Sequence, residues 1–377
     1  HAQRGELLCK VLALGVEPQV AFKYCFKGLE DVVSKIQSQI DCEPVDAEMT
    51  FNPNNAPYFF FKHEKTGYKL DISALANEIA DNLEHSSNFT INLKPQVLLP
   101  SVYYDDLKDY ANLRGSFYTS FNENNANRKH NIRLAMSKFN GMRIERSKEY
   151  SFNETTGRRT DANGYKPANI IVDKKYVEGY GGGVCQASTT LYNALLLSGL
   201  DIREVHSHSL VSAYVNMGFD AMVNFGTSDL RWANNTNTDM FVRTYVAGNK
   251  VGVQIYGKPD DRPYTYKRIT EVEEEIAPPA DEVIIDKKGE YSNLVNYTDE
   301  SAYISAAHKG YKVRAILEKY DGETLIERKF LRRVQYQATK GVKVVGAKER
   351  PVVPEPITQQ NDLAAATVEF WKRFTQF

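Results

Sequence analysis

The chain of 377 residues carries 47 basic and 48 acidic side chains, a formal net charge of −1, with 42% hydrophobic and 25% charged residues. That balance belongs to an ordinary globular protein of two or three domains, and it excludes a scavenger of nucleic acid. No apolar run reaches the roughly 20 residues of a membrane-spanning helix, and the start at His1 resembles no signal peptide but leaves room for a membrane anchor upstream.

The four cysteines, Cys9, Cys25, Cys42 and Cys185, are too few for a disulfide scaffold and lack the paired spacing of a zinc module. A bridge among the first three is open in an oxidising compartment, although spacing does not pair them. As small buried hydrophobes they need no further role.

In chain order, Leu29, Val32, Val33, Ile36 and Ile40 recur at helical spacing. Val45, Ala47, Met49 and Phe51 alternate as a strand does, and residues 58–62 form a second strand. After the turn at Thr66-Gly67, a helix carries Leu75, Ile79 and Leu83, with Asp71 or Ser73 as its cap. Residues 1–112 thus read as a small α+β domain, with His63 and His85 on its surface.

A second domain, residues 113–258, starts at Leu113. Ile132, Leu134, Ala135, Met136 and Phe139 place a helix over residues 127–139, ending at Asn140-Gly141. A polar loop, residues 155–165, holds Arg158 and Arg159, and a loop so long is either solvated or functional. Residues 168–172 form a strand leading to the glycines. The acidic, proline-bearing residues 271–282 mark a linker over residues 259–282, before a β-rich module at 283–347. That module has a strand at 311–317, a hairpin turn at Asp321-Gly322 and a closing strand at 342–346. The tail, 348–377, carries an amphipathic helix over 363–374 without an assigned role. The predicted class is α+β, multidomain.

Chemistry concentrates where Gly181-Gly182-Gly183-Val184 delivers Cys185 to a predicted helix, residues 185–198, stopped by Gly199. Consecutive glycines occur where backbone needs positive φ or close approach. A thiol in the first turn of a helix meets unpaired N–H groups and the positive dipole end, which favour thiolate. Those N–H groups, at Gln186 or nearby, suit an oxyanion. Residues 201–211 then read as a strand, placing Ile202, Glu204, His206, His208 and Leu210 on one side. Either histidine fits a general base, oriented by Asp220, Asp229 or a backbone carbonyl. Two plainer accounts stand beside this one: a packing cysteine, and a three-ligand zinc set of Cys185, His206 and His208 that lacks a marked acidic ligand.

Several motifs carry a family resemblance. They are Asn127-Arg128, Asn131-Ile132-Arg133-Leu134-Ala135, Tyr150-Ser151-Phe152-Asn153, Gly157-x-Arg159-Thr160, Gly164-Tyr165, Gly181-Gly182-Gly183-Val184-Cys185-Gln186, His208-Ser209-Leu210, Tyr214, Gly218-x-Asp220-Ala221, Asp229-Leu230 and Asn234-Asn235-Thr236. With these, residues 116–258 resemble the VanW domain of bacterial cell-envelope proteins. One departure is Ser147-Lys148-Glu149, where the family often has a Pro-Gly-Glu turn. The stretch from Tyr58 to Leu83 is similar to the peptidoglycan-binding domain often found ahead of VanW, and residues 283–347 are similar to a G5-type wall-binding module.

The resemblance implies extracytoplasmic work in the cell envelope on peptidoglycan stem peptides, with no cofactor, no metal and no nucleic acid. It implies L,D-transpeptidation: a cysteine attacks a tetrapeptide stem, D-alanine leaves, and a second stem accepts the acyl group in a 3-3 cross-link. Cys185 is then the nucleophile and His208 the base, with Gln186 and Asp220 assisting. Arg159, Tyr165, Asn153, His206 and Gly183 fall on the substrate side. A wall peptidase or carboxypeptidase with water as acceptor, and a non-catalytic wall-binding protein, are the alternatives.

Overall fold

The computed structural model describes residues 28–351 except 87, 123, 173–174 and 260–262. Cys9, Cys25 and the amphipathic stretch at 363–374 lie outside the described residues, and with them the bridge left open among the first three cysteines and the tail helix. Mixed helices and strands with a strand-rich C-terminal region make up the chain, the α+β class read from the sequence.

The N-terminal part contains α1 (Leu29–Ile40), β1 (Glu48–Phe51), β2 (Phe59–Lys62), β3 (Gly67–Lys69), α2 (Ile72–His85), β4 (Gln96–Leu98) and the short α3 (Tyr104–Leu107). Its helices share a small core of Val33, Leu70 and Leu75. Val32 is half exposed, because it lies one position round the helix from Val33. Asp71, not Ser73, caps α2: its Oδ1 accepts from the Ala74 N–H at 2.9 Å. Phe51 and Phe59 face each other across β1 and β2. Their rings lean on the next part of the chain, Phe51 on Phe241 at 5.3 Å and Phe59 on Tyr256 at 5.5 Å.

The central part runs β5 (Leu113–Ser120), α4 (Ala126–Ser137), β6 (Arg143–Ile144), β7 (Glu149–Ser151), α5 (Phe152–Thr156), β8 (Pro167–Val172), β9 (Lys175–Tyr180), α6 (Val184–Leu197), β10 (Asp201–Glu204), β11 (Arg231–Ala233), β12 (Met240–Ala247) and β13 (Lys250–Gly257). Its main sheet has the order β5-β13-β12-β6, and a smaller one has β10-β11-β7. Helix α6 packs on β5 and β13, and Val184 and every residue from Gln186 to Leu196 are buried. A helix buried on all faces must satisfy its polar side chains internally. Thr190 Oγ1 therefore meets Thr119 Oγ1 at 2.8 Å, and Asn193 Nδ2 donates to the Phe219 carbonyl at 2.8 Å. At the departure from the family turn, Ser147 takes a φ of 59° and its N–H donates to Asn234 O at 2.8 Å.

Two expected elements take another form. The predicted strand over 201–211 stops at Glu204 after a bulge; His206 makes only a single bridge, to Met222. Beyond it the chain is drawn to a later strand, since Gln337 N–H donates to Ser209 O at 2.8 Å. Parity along a strand therefore does not relate His206 to His208.

The second difference concerns the expected linker, much of which is β14 (Thr265–Ile276). It is followed by β15 (Glu282–Asp286), β16 (Ser301–Ser305), β17 (Gly310–Asp321), β18 (Thr324–Tyr336) and β19 (Val342–Gly346), forming sheets β14-β17-β18 and β15-β19-β16. The acidic run resembles a solvated linker only when read alone. Across the sheet, Glu273 meets Arg333 at 2.7 Å and Glu274 meets Lys312 at 2.6 Å, cross-strand pairs that its own sequence does not contain.

Ala315 and Leu317 of β17 belong to the same core cluster as α6 and Trp232, so the β14-β17-β18 sheet does not stand apart from the central part. Truncation of Leu317 to Ala should cost about 2–5 kcal/mol. The loss should appear in the unfolding of the centre, followed by fluorescence of the buried Trp232; an unshifted midpoint would refute the shared core.

Candidate active site

The glycine run is first a packing device. Gly181 and Gly183 have φ values of 85° and 104°. A Cβ on Gly181 would lie 2.6 Å from Arg159 Cγ, and one on Gly182 2.7 Å from the Asn169 carbonyl oxygen. The backbone is thus pressed against Arg159 and β8 as it turns into α6, with Val184 N–H donating to Gly181 O at 3.0 Å. That turn leaves Cys185 partly exposed between the buried Val184 and Gln186.

Cys185 Sγ lies 3.5 Å from the Val223 carbonyl oxygen and hydrogen-bonds the His208 ring. His208 Nδ1 is 2.7 Å from Asp220 Oδ2, which leaves Nε2 for the thiol. The same Oδ2 accepts the His208 backbone N–H at 2.6 Å, and Oδ1 accepts the Tyr336 hydroxyl at 2.6 Å. The Asp220 side chain is 1% exposed.

Burial by itself pushes the Cys185 thiol up, but the hydrogen bond and charge of His208 outweigh it and hold the thiol below its ordinary value. Burial likewise opposes charge on His208, yet Asp220 and Cys185 together raise its pKa to about 10. Asp220 is raised by burial and lowered further by His208 and Tyr336, so it stays anionic. The two groups titrate as a coupled pair, each favouring the charged form of the other.

The remaining expected residues fall into different places. His206 Nε2 meets Glu204 Oε1 at 2.8 Å. Asp229 serves α5: it accepts the Ser151 hydroxyl and, at 3.0 Å, the Asn153 N–H. Gln186 is a strut, its amide bonded to Arg128 at 2.8 Å and to Ser120 O at 2.8 Å. Its backbone N–H is spent on Gly183 O at 3.0 Å, whereas the Cys185 N–H has no acceptor among the described residues. Arg159 donates to Gly157 O at 2.6 Å and Asn153 Oδ1 at 2.8 Å, and no carboxylate pairs with it among the described residues. Burial pulls its pKa down. Tyr165, 1% exposed, backs this arginine from the core and donates to Thr156 O at 3.3 Å.

Two participants escape sequence reasoning. Tyr336 is 116 residues from the Asp220 it touches, and no motif marks it. Tyr214 lies beside the thiol with its hydroxyl held by Ser212 and Thr189, and burial raises its pKa. Its place in the quoted motifs was a signal, though not of a role.

A mixed α/β domain that sets thiol, imidazole and carboxylate in line at a helix start defines a cysteine-centred site. The chain belongs to the VanW-like family: residues 127–256 match the model described as "VanW like protein", and residues 10–92 match "Putative peptidoglycan binding domain". It is 30% identical over 225 residues to the uncharacterized protein YoaR of Bacillus subtilis (strain 168), covering 59% of this chain and 72% of that protein. Two solved structures resemble part of the chain. The crystal structure of HP0197-G5 has 17% identity, 22% coverage of this chain, 97% of that one and a TM-score of 0.12. The IgA1 protease G5 domain has 14% identity, coverages of 23% and 92%, and a TM-score of 0.15. Scores this low carry no weight. The family and its accompanying domain point to a cell-wall-related function, with peptidoglycan as partner. Among the described residues no helix is long and apolar enough to cross a membrane.

Alkylation by iodoacetamide, read by mass spectrometry at the Cys185 peptide, should persist to lower pH than that of an ordinary thiol. In His208→Ala burial loses its main opponent, so the rate at neutral pH should fall and the midpoint rise. Equal profiles for the two proteins would refute the thiolate–imidazolium pair.

Proposed function

We propose that the chain is a cell-wall cysteine acyltransferase, an L,D-transpeptidase that forms 3-3 cross-links between tetrapeptide stems outside the membrane. The observation that carries this reading is the line Cys185–His208–Asp220, whose groups lower the thiol pKa and leave an imidazole nitrogen facing it. The thiolate attacks the carbonyl carbon of the diaminopimelate to D-alanine bond. The Cys185 N–H, free at the helix start, receives the oxyanion. Imidazolium Nε2 gives its proton to the departing amine, the carbon–nitrogen bond breaks, and D-alanine leaves the acyl-enzyme. The side-chain amine of a second diaminopimelate then attacks, His208 takes its proton, and the thiolate departs.

Arg159 supports the choice of an anionic substrate. A guanidinium lowered by burial, held by neutral oxygens and unpaired with any acid among the described residues, is suited to a stem carboxylate. Asn153 fixes the Arg159 fork, and Gly181 makes room for its stem.

The reading is tested by incubation with disaccharide-tetrapeptides and mass spectrometry of the products. Dimers should form with the wild type and not with Cys185→Ala. His208→Ala should abolish turnover while His206→Ala keeps most of it. Arg159→Met should raise KM at least tenfold, a loss of roughly 1.4 kcal/mol of binding. Tripeptide alone would mean that water is the acceptor, and an unchanged substrate would leave only a wall-binding protein.

A further inference from the structure

The VanW-like match ends at residue 256, yet the groups that fix the catalytic carboxylate come from beyond it. We propose that the β14-β17-β18 sheet is an integral part of the catalytic centre, with Tyr336 and Arg332 as positioning residues that hold Asp220 against His208. The inference rests on the thiol–imidazole reading above and names what that reading needs from the rest of the chain.

The contacts form a closed set. Gly218 N–H donates to the Tyr336 oxygen at 2.7 Å, and the Tyr336 hydroxyl donates to Asp220 Oδ1 at 2.6 Å. Arg332 donates through Nε and Nη2 to Gly218 O at 3.1 and 3.0 Å, and through Nη2 to the Asp220 carbonyl. Thr270 Oγ1 of β14 donates to Met217 O at 2.7 Å, and Gln337 N–H takes Ser209 O at 2.8 Å. Both ends of the irregular segment that carries His208 and Asp220 are therefore pinned, by this sheet and by Gln337, the residue that follows its last strand. The fit is close: Gly218 has a φ of 87°, and a Cβ there would lie 3.0 Å from Ala315 Cβ. On the same face, Arg268 enters between Phe117 and Phe219, with its Cζ 4.2 and 5.2 Å from the ring centres, and donates to Asn193 Oδ1 at 2.6 Å.

This arrangement has a physical purpose beyond packing. An aspartate orients an imidazole only if its own carboxylate plane is fixed. Oδ2 is engaged twice by His208, so rotation is governed by what holds Oδ1. That holder is Tyr336, 1% exposed, whose oxygen is itself aimed by the Gly218 N–H. Removal of this one hydroxyl frees the carboxylate, leaves the Gly218 N–H buried without an acceptor, and touches neither the thiol nor the imidazole. The segment matched by the family model thus supplies nucleophile, base and acid, while the later strands supply the geometry between them.

The test uses the full chain with Tyr336→Phe, and with Arg333→Gln as a control on the exposed face of the same strand. For each, the pH profile of Cys185 alkylation and the melting transition are recorded. Tyr336→Phe should retain a cooperative transition while its alkylation midpoint moves up by about one pH unit, lowering the rate roughly tenfold at pH values well below both midpoints. Arg333→Gln should superimpose on the wild type. Should Tyr336→Phe lose its transition, Arg332→Lys is read in the same way, since it keeps the charge and loses the double contact to Gly218 O. A folded Tyr336→Phe or Arg332→Lys with the wild-type profile overturns the proposal. A wild-type profile that already equals that of His208→Ala overturns the underlying reading instead, and this inference falls with it.

Discussion

Everything at the site depends on a single buried charge. Asp220, with a side chain 1% exposed, is anionic in surroundings that penalise charge. It remains so because His208 meets one oxygen with two N–H groups and Tyr336 meets the other. The order of dependence runs outward from there. The carboxylate stabilises the imidazolium, the imidazolium stabilises the thiolate, and burial opposes ionisation at all three groups. Loss of the innermost charge removes the compensation for the other two.

The fold meets this requirement by enclosing the site from three directions. Helix α6 brings the thiol from beneath, on the main sheet. The irregular segment after β10 carries His208 and Asp220 over it and is tied to the helix through Asn193 and Ser188. The long strands of the C-terminal part close the back. Core residues from β17 lie among those of the central part, so these strands are joined to the site by apolar packing as well as by hydrogen bonds.

Much of this was legible in the sequence, for identifiable reasons. Helix limits followed from caps and stops, as at Asp71 and Gly199, because those signals act within one turn. Cys185 stood out because glycines and a helix start are neighbours in sequence as well as in space. The choice between His206 and His208 was not legible by spacing, since it presumed a strand that ends at Glu204. The choice between Asp220 and Asp229 was closed too, because only tertiary contacts assign one to the imidazole and the other to α5. Strand β14 hid behind its glutamates, whose partners lie up to 60 residues away. Tyr336 was hidden for the same reason: a contact across 116 residues leaves no local trace.

The glycine run raises a question that packing alone does not answer. The turn also shapes what lies beside the thiol. Gly181 lets the stem of Arg159 pass, and that guanidinium ends near the thiol, lowered by burial and without an acidic partner among the described residues. The Cys185 N–H, released by the same turn, also has no acceptor there. A donor without an acceptor costs stability. In the proposed reaction that N–H receives the oxyanion of the attacked carbonyl, and the guanidinium, held so far by neutral oxygens, meets a substrate carboxylate. On the proposed reading, the glycines are kept because the same backbone path that packs the helix also aims both donors at the stem peptide.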